Sequence, residues 1–147
     1  MAKRYSVLDI KDLDAKFRDL LDDKMWSYVV VEPSLAARRN LINYMRKAGC
    51  ENVIEAKDGM EGLMKCKEIG STVTAIVDLK APVLNGADFL RHFKAAPELA
   101  DAKVILTGTD GRKELIVAVF RAGANAYMKK PFPPETLIEK LKSLGAM

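Results

Sequence analysis

Short apolar runs alternate with amphipathic stretches from Trp26 to the end of the chain, and this alternation restricts the fold more than any other feature. Five short runs have the composition of buried strands, at residues 28–31, 52–56, 74–77, 104–107 and 126–128. Five stretches carry apolar residues at helical spacing, at residues 34–48, 58–69, 87–95, 112–122 and 135–144. Strands that alternate with helices predict an α/β domain, with helices on both faces of a parallel sheet.

Residues 1–25 precede this alternation and have a different pattern. Their large apolar residues recur at the spacing of one helix face, at Ile10, Leu13, Phe17, Leu20 and Leu21. We interpret residues 1–25 as an amphipathic helical extension and residues 26–147 as the domain itself. Three alternatives stay open for the extension. The helix packs on its own domain, it serves as a docking or dimerisation helix that would make the protein a homodimer, or it frays.

The composition is that of a globular protein and disfavours several other classes. The chain has 147 residues, of which 49% are hydrophobic and 30% charged, and this fits one domain. No apolar run reaches the length of a membrane span, and the N-terminus lacks the apolar stretch of a signal peptide, so we expect a cytoplasmic protein. The net charge of +4 is spread along the chain, without the basic clusters of a nucleic-acid-binding module. The two cysteines, Cys50 and Cys66, are too few for a metal framework, and we interpret them as small apolar residues.

Polar residues follow the predicted strands at the edge where reactive sites of parallel sheets lie. Glu32 follows the first predicted strand and Asp78 follows the third. Thr107 is the last residue of the fourth strand, and Lys130 comes after the fifth. A carboxylate in such a crevice can act as a nucleophile toward phosphorus. A hydroxyl and an ammonium group can bind the phosphoryl oxygens, and a divalent cation can neutralise their charge.

Three motifs around these residues resemble the receiver domains of bacterial response regulators, over about residues 26–147. They are Val-Val-Glu-Pro-Ser after the first strand, Ile-Val-Asp-Leu-Lys-Ala-Pro around Asp78, and Ala-Gly-Ala-Asn-Ala-Tyr-Met-Lys-Lys-Pro-Phe around Lys130. The resemblance implies a flavodoxin-like (βα)5 three-layer sandwich, with five parallel strands in the order 2-1-3-4-5. It also implies that Asp78 is the phosphoacceptor, that Lys130 and Thr107 bind the phosphoryl group, and that the Lys130–Pro131 peptide bond is cis.

The metal site that the resemblance implies departs from the family pattern at one position. Glu32, Asp78 and the backbone carbonyl of Lys80 would bind Mg²⁺. Receiver domains usually carry a second acid after the first strand, and Pro33 stands in its place here. Proline has no ligand to offer, so we expect Mg²⁺ to bind weakly.

The fourth strand contains the second departure. Counting back from Lys130 puts Gly108 at the position of the family's hydroxyl residue, with Thr107 one residue early. A one-residue insertion in the loop after Gly108 would restore Thr107, and we favour Thr107 because the strand ends in Leu-Thr as the family pattern does. By the resemblance, Tyr127 is the aromatic residue whose rotamer reports activation.

These observations predict a phosphorylation-dependent switch of a two-component phosphorelay. A histidine kinase or phosphotransfer protein would supply the phosphoryl group, and a downstream protein partner would read the switch. The alternative is a phosphorylation-independent, receiver-like adaptor, which Pro33 suggests. We do not expect an enzyme, because no glycine-rich nucleotide-binding motif follows the first strand.

Overall fold

The computed structural model describes residues 26–147, which form the five-stranded parallel sheet predicted from the sequence. The strands are β1 (Ser27–Val31), β2 (Asn52–Ala56), β3 (Val73–Asp78), β4 (Lys103–Gly108) and β5 (Ala126–Lys129), in the order β2-β1-β3-β4-β5. The helices are α1 (Leu35–Lys47), α2 (Gly59–Ile69), α3 (Gly86–Ala95), α4 (Lys113–Arg121) and α5 (Pro134–Ser143). A short 3₁₀ helix, Pro97–Leu99, was not predicted. The fold class and the strand order are therefore confirmed.

Side chains alternate along each strand and fill two separate cores, one on each face of the sheet. The core that we call the α2–α4 cluster joins Val29, Val77 and Leu106 of the strands to α2, α3 and α4. The other core, the α1–α5 cluster, joins strand residues such as Val30 and Ile105 to α1 and α5. The central strand, β3, is buried at all six positions, as expected for a parallel strand covered on both faces.

Two helices on the α1–α5 face end in the same type of C-cap. Gly49 after α1 and Gly145 after α5 have positive φ angles of 107° and 70°, which glycine adopts without a steric penalty. The residue after each glycine donates its N–H to a carbonyl in the last turn of the helix. Cys50 donates to Met45 at 2.9 Å, and Ala146 donates to Leu141 at 2.9 Å. Both of these residues are buried, so the caps turn the chain directly into the core.

The two cysteines are free and buried, which confirms their interpretation as small apolar residues. Burial raises the pKa of the Cys66 thiol to about 12, so this side chain stays protonated and acts as a packing residue. Cys50 lies beside Tyr28, whose hydroxyl donates a hydrogen bond of 2.6 Å to the Ala146 carbonyl. This bond attaches the C-terminal residues to the first strand.

The amphipathic stripe predicted for residues 1–25 lies outside the described residues, and so does the dimerisation alternative. Within residues 26–147, no helix is both long enough and apolar enough to cross a membrane.

The loop between β3 and α3 is held closely against the start of α2. The Gly59 N–H donates to the Pro82 carbonyl at 3.0 Å, and the Gly86 N–H donates to the Leu79 carbonyl at 3.1 Å. A Cβ atom on Gly59 would lie 1.8 Å from the Leu84 carbonyl oxygen, so this approach needs glycine. Within this tight loop Val83 has a φ of 68°, although its side chain is 78% exposed.

Candidate functional site

The carboxyl ends of the parallel strands bring the predicted site residues together. Asp78 is the last residue of β3, and Glu32 and Lys130 directly follow β1 and β5. The two carboxylates and Thr107 are buried, with exposed fractions of 5% for Asp78, 8% for Glu32 and 4% for Thr107. Buried carboxylates require hydrogen-bond partners or opposite charges, and both kinds are present.

The Lys130 ammonium group bridges the two carboxylates. Its Nζ atom donates to Oδ2 of Asp78 and to Oε1 of Glu32. Desolvation lowers the pKa of Lys130, but the hydrogen bonds and the charges of both carboxylates outweigh it, and the pKa is raised above its ordinary value. The side chain therefore stays charged, and this three-residue group carries a formal net charge of one negative unit.

Backbone N–H groups hold the other carboxylate oxygens. The Lys80 N–H donates to Oδ1 of Asp78 at 2.7 Å, and the Ser34 N–H donates to Oε2 of Glu32 at 2.9 Å. Ser34 is also the N-cap of α1, and its Oγ accepts from the Ala37 N–H at 3.2 Å. The start of α1 thus fixes the direction in which the Glu32 carboxylate points.

Thr107 and Gly108 lie on opposite faces of the sheet. Thr107 is the register partner of Asp78 in the neighbouring strand, and side-chain alternation puts both on the face of the α1–α5 cluster. Gly108 faces the other side, where an added Cβ would lie 2.8 Å from the Tyr127 hydroxyl oxygen. This geometry favours the interpretation that assigns the hydroxyl to Thr107.

The Tyr127 ring is half-buried against the α2–α4 cluster, and its hydroxyl donates to the Asp110 carbonyl in the β4–α4 loop. Desolvation, with the charges of Asp110 and Asp78, raises the pKa of the Tyr127 hydroxyl, while Lys130 lowers it. The hydroxyl is therefore a proton donor at neutral pH. The hydroxyl group of Tyr127 thus occupies space that a side chain at position 108 would need.

The site offers few side chains that could bind a metal ion. Among residues 26–147, no cluster of three or more acidic, histidine or cysteine side chains is arranged to hold a metal ion. Glu32, Asp78 and the Lys80 carbonyl are hard oxygen donors of the kind that Mg²⁺ prefers, and Mg²⁺ sites often use only one or two carboxylates with water. These residues fit a hydrated Mg²⁺ ion, but Pro33 is exposed and adds no ligand.

Arg38 is a residue near the site that the sequence patterns did not point to. Its Nη1 donates to the Glu32 carbonyl at 2.7 Å, and its Nε atom donates to Oε1 of Glu55 on β2. Arg38 therefore ties α1 to the turn that carries Glu32. Its position six residues after Glu32, on the first turns of the predicted helix, is the signal that could have indicated this contact.

The peptide bond between Lys130 and Pro131 is cis, as the resemblance implied.

Comparisons with known proteins agree with this geometry. Residues 29–142 match the family model of the response regulator receiver domain. Chemotaxis protein CheY1 of Helicobacter pylori strain J99 is 33% identical over 114 residues, which are 78% of this chain and 92% of the relative. The Campylobacter jejuni strain 81-176 CheY homolog is 30% identical over 116 residues, which are 79% of this chain and 89% of that protein.

Solved structures show the same fold. Chemotaxis response regulator CheY4 of Vibrio cholerae superposes with a TM-score of 0.73 at 26% identity, covering 82% of this chain and 99% of that one. The CheX–CheY–BeF3–Mg complex from Borrelia burgdorferi matches with a TM-score of 0.75 at 20% identity, covering 82% of this chain and 89% of that one.

Proposed function

The chain belongs to the response regulator receiver family, and from this premise we propose that it is a phosphorylation-dependent switch with Asp78 as its phosphoacceptor. The observation that carries the proposal is the contact of a buried carboxylate at the end of β3 with the Lys130 ammonium group. The protein works in the cytoplasm as a signalling module rather than as an enzyme.

The arrangement around Asp78 suits a phosphoryl transfer from a histidine of a kinase or phosphotransfer protein. A carboxylate oxygen of Asp78 attacks phosphorus, the P–N bond to the donor imidazole breaks, and the imidazole keeps the electron pair. The product adds about 1.5 to 2 negative charges at the sheet edge. We expect Lys130 and the hydroxyl of Thr107, the register partner of Asp78, to bind the new phosphoryl oxygens.

Mg²⁺ is the cofactor of this reaction. When bound, it neutralises the charge on the transferred phosphoryl group. Glu32, Asp78 and the carbonyl of Lys80 would hold it, and its affinity is weak because Pro33 supplies no carboxylate. Lys130 contacts one oxygen of each carboxylate, so it would share these oxygens with a bound ion or move aside.

The output surface consists of α4, β5 and α5. Thr107 lies near the end of β4 and Lys130 directly follows β5, so their movement toward a phosphoryl group shifts the β4–α4 loop first. Tyr127 donates to this loop, which makes its ring the element that transmits the shift. Val117 and Phe120 of α4 are 38% and 48% exposed, which provides apolar surface for a downstream protein partner.

A phosphorylation-independent adaptor is the second candidate, and two observations favour it. Pro33 replaces a carboxylate, and Lys130 already binds both remaining carboxylates. In such an adaptor the Lys130 bridge would hold the site in one conformation, and the partner would recognise that conformation directly.

The decisive experiment is incubation of the full chain with acetyl phosphate and Mg²⁺, followed by mass spectrometry. We expect one added phosphoryl group on the wild-type protein and none on Asp78→Asn. Equal labelling of both proteins would refute Asp78 as the acceptor. Absence of labelling, together with no amide shifts on adding beryllofluoride and Mg²⁺, would support the adaptor instead.

A further inference from the structure

The Arg38 guanidinium lies between the turn after β1 and the end of β2. Its Nη1 atom donates to the Glu32 carbonyl at 2.7 Å, and its Nε atom donates to Oε1 of Glu55. The Arg38 side chain is only 12% exposed. A largely buried guanidinium needs an opposite charge and hydrogen-bond acceptors, and these two residues supply both. No step of the phosphoryl transfer uses this group, although one of its acceptors belongs to a site residue.

The turn that carries Glu32 is restrained from several sides. Pro33 follows Glu32, and a residue before proline is restricted to extended conformations. Within that range the Glu32–Pro33 peptide can still tilt, which changes where its carbonyl points. The bond from Arg38 fixes this carbonyl, and the Ser34 N–H donates to Oε2 of the carboxylate at 2.9 Å. The two bonds together hold Glu32 in one orientation.

Glu55 anchors the Arg38 guanidinium on β2. It is the register partner of Val30 in β1, and its carbonyl accepts from Nζ of Lys65 on α2 at 3.0 Å. The hydrogen bond from Arg38 lowers the pKa of the Glu55 carboxyl, so this group is ionised at neutral pH. The guanidinium serves Glu32 and Glu55 at the same time because its N–H groups point in fixed, different directions. A lysine ammonium group is a single point charge and would serve only one of them.

We propose that Arg38 is a positioning residue for Glu32, and that it holds the Glu32 carboxylate where it binds Mg²⁺. This inference rests on the proposed function, of which Mg²⁺ binding by Glu32 is a part. Because Pro33 supplies no carboxylate, the turn after β1 has one carboxylate and no second one to compensate for its displacement. Replacing a residue that orients a metal ligand typically weakens metal binding about 10- to 100-fold. We expect about tenfold here, because the bond from Ser34 to the carboxylate remains.

Exchange of the Ser34 amide with water, measured by NMR on the full chain without metal or phosphodonor, reports the orientation of Glu32. Arg38→Met removes the guanidinium and keeps an unbranched apolar side chain. The matched control is Arg39→Met at the neighbouring exposed arginine, whose side chain donates to neither Glu32 nor Glu55 within residues 26–147. We expect Arg38→Met to speed exchange at Ser34 about fivefold or more. The control should leave it unchanged, and exchange within β3 should be unchanged in both variants.

An NMR titration with Mg²⁺ measures the consequence for the metal. Both variants remove one positive charge, so the long-range effect of that charge cancels in the comparison. We expect affinity about tenfold weaker in Arg38→Met and within about twofold of wild type in Arg39→Met. Arg38→Lys keeps the charge and serves one acceptor, so its affinity should lie between these values. Urea unfolding of the same variants identifies a merely structural role, which would lower stability and leave the Mg²⁺ affinity of the folded protein unchanged.

The outcomes separate this inference from the proposed function. Equal exchange of the Ser34 amide in Arg38→Met and Arg39→Met would overturn the positioning role, whatever the metal does. Faster exchange with equal Mg²⁺ affinity would overturn the link to the metal, as would a wild-type protein that binds no Mg²⁺. Should Arg38→Met unfold, Arg38→Lys takes its place in both measurements. Neither measurement needs phosphorylation, so a wild-type protein that accepts no phosphoryl group refutes the proposed function and leaves the exchange test valid.

Discussion

Replacing Val83 with asparagine should stabilise the protein. Val83 has a φ of 68°, in the left-handed region that a β-branched side chain resists. The surrounding loop imposes this conformation, because its hydrogen bonds tie it to the starts of α2 and α3. Asparagine adopts the left-handed region far more readily than valine. The substitution therefore relieves strain while the loop keeps its shape.

The expected gain follows from two opposing contributions. A left-handed conformation costs a residue such as valine about 1–2 kcal/mol. Full burial of a valine side chain stabilises by about 1.5–3 kcal/mol, but Val83 is 78% exposed. The lost burial is therefore about 0.3–0.6 kcal/mol. The net stabilisation should be about 0.5–1.5 kcal/mol, which raises the melting temperature by a few degrees.

Urea unfolding followed by circular dichroism measures this free energy for the wild type and the variant. The matched control is Val117→Asn, the same substitution at an exposed valine in α4 without a positive φ. We expect the control to be neutral or destabilised, since asparagine has no strain to relieve in a helix. Destabilisation by Val83→Asn, or an equal gain in both variants, would refute the strain argument.

Three further predictions concern the site. Pro33→Asp should strengthen Mg²⁺ binding in titration calorimetry by restoring a carboxylate; unchanged affinity would show that this position is not a ligand. The carboxylates of Asp78 and Glu32 raise the pKa of Lys130 in the folded state. The ion pairs of Lys130 therefore stabilise the fold fully below the ordinary lysine pKa of about 10.4. This stabilisation is lost as pH rises through the higher pKa of the folded state. The stability difference between wild type and Lys130→Met should therefore shrink above about pH 10.4, and a constant difference would contradict the pairing with Asp78. Gly108→Ala should push the Tyr127 ring outward and remove its hydrogen bond to the β4–α4 loop. NMR signals of the Tyr127 ring measure this movement, and unchanged signals would show that the ring does not depend on Gly108.

The elements of the fold were predictable because they follow from local patterns. Each strand is a short apolar run, and each helix has an apolar stripe with a period near 3.6 residues. The observed ends of the helices and strands differ from the predicted ends by one residue in most cases, because capping hydrogen bonds rather than hydropathy determine where an element ends. Ser34 is an example, because it caps α1 and is not itself helical.

Which polar residues share the edge of the sheet was also predictable. In a parallel sheet all strands end at the same edge, so Glu32, Asp78, Thr107 and Lys130 had to come near one another once the strands were placed. Their roles came from the resemblance to receiver domains and not from this geometry.

The tertiary structure alone decided how these residues interact. Spacing along the chain left Thr107 and Gly108 as alternatives. The β3–β4 register puts Thr107 beside Asp78 and Gly108 on the opposite face, because neighbouring residues of a strand face opposite sides. The sequence also did not predict that Lys130 binds both Glu32 and Asp78, because 98 and 52 residues separate it from these partners. The left-handed backbone of Val83 runs against the local preference of valine, and the bonds of its loop impose it. Hydropathy and periodicity are local properties, so they determine elements, whereas contacts between distant residues depend on how those elements pack.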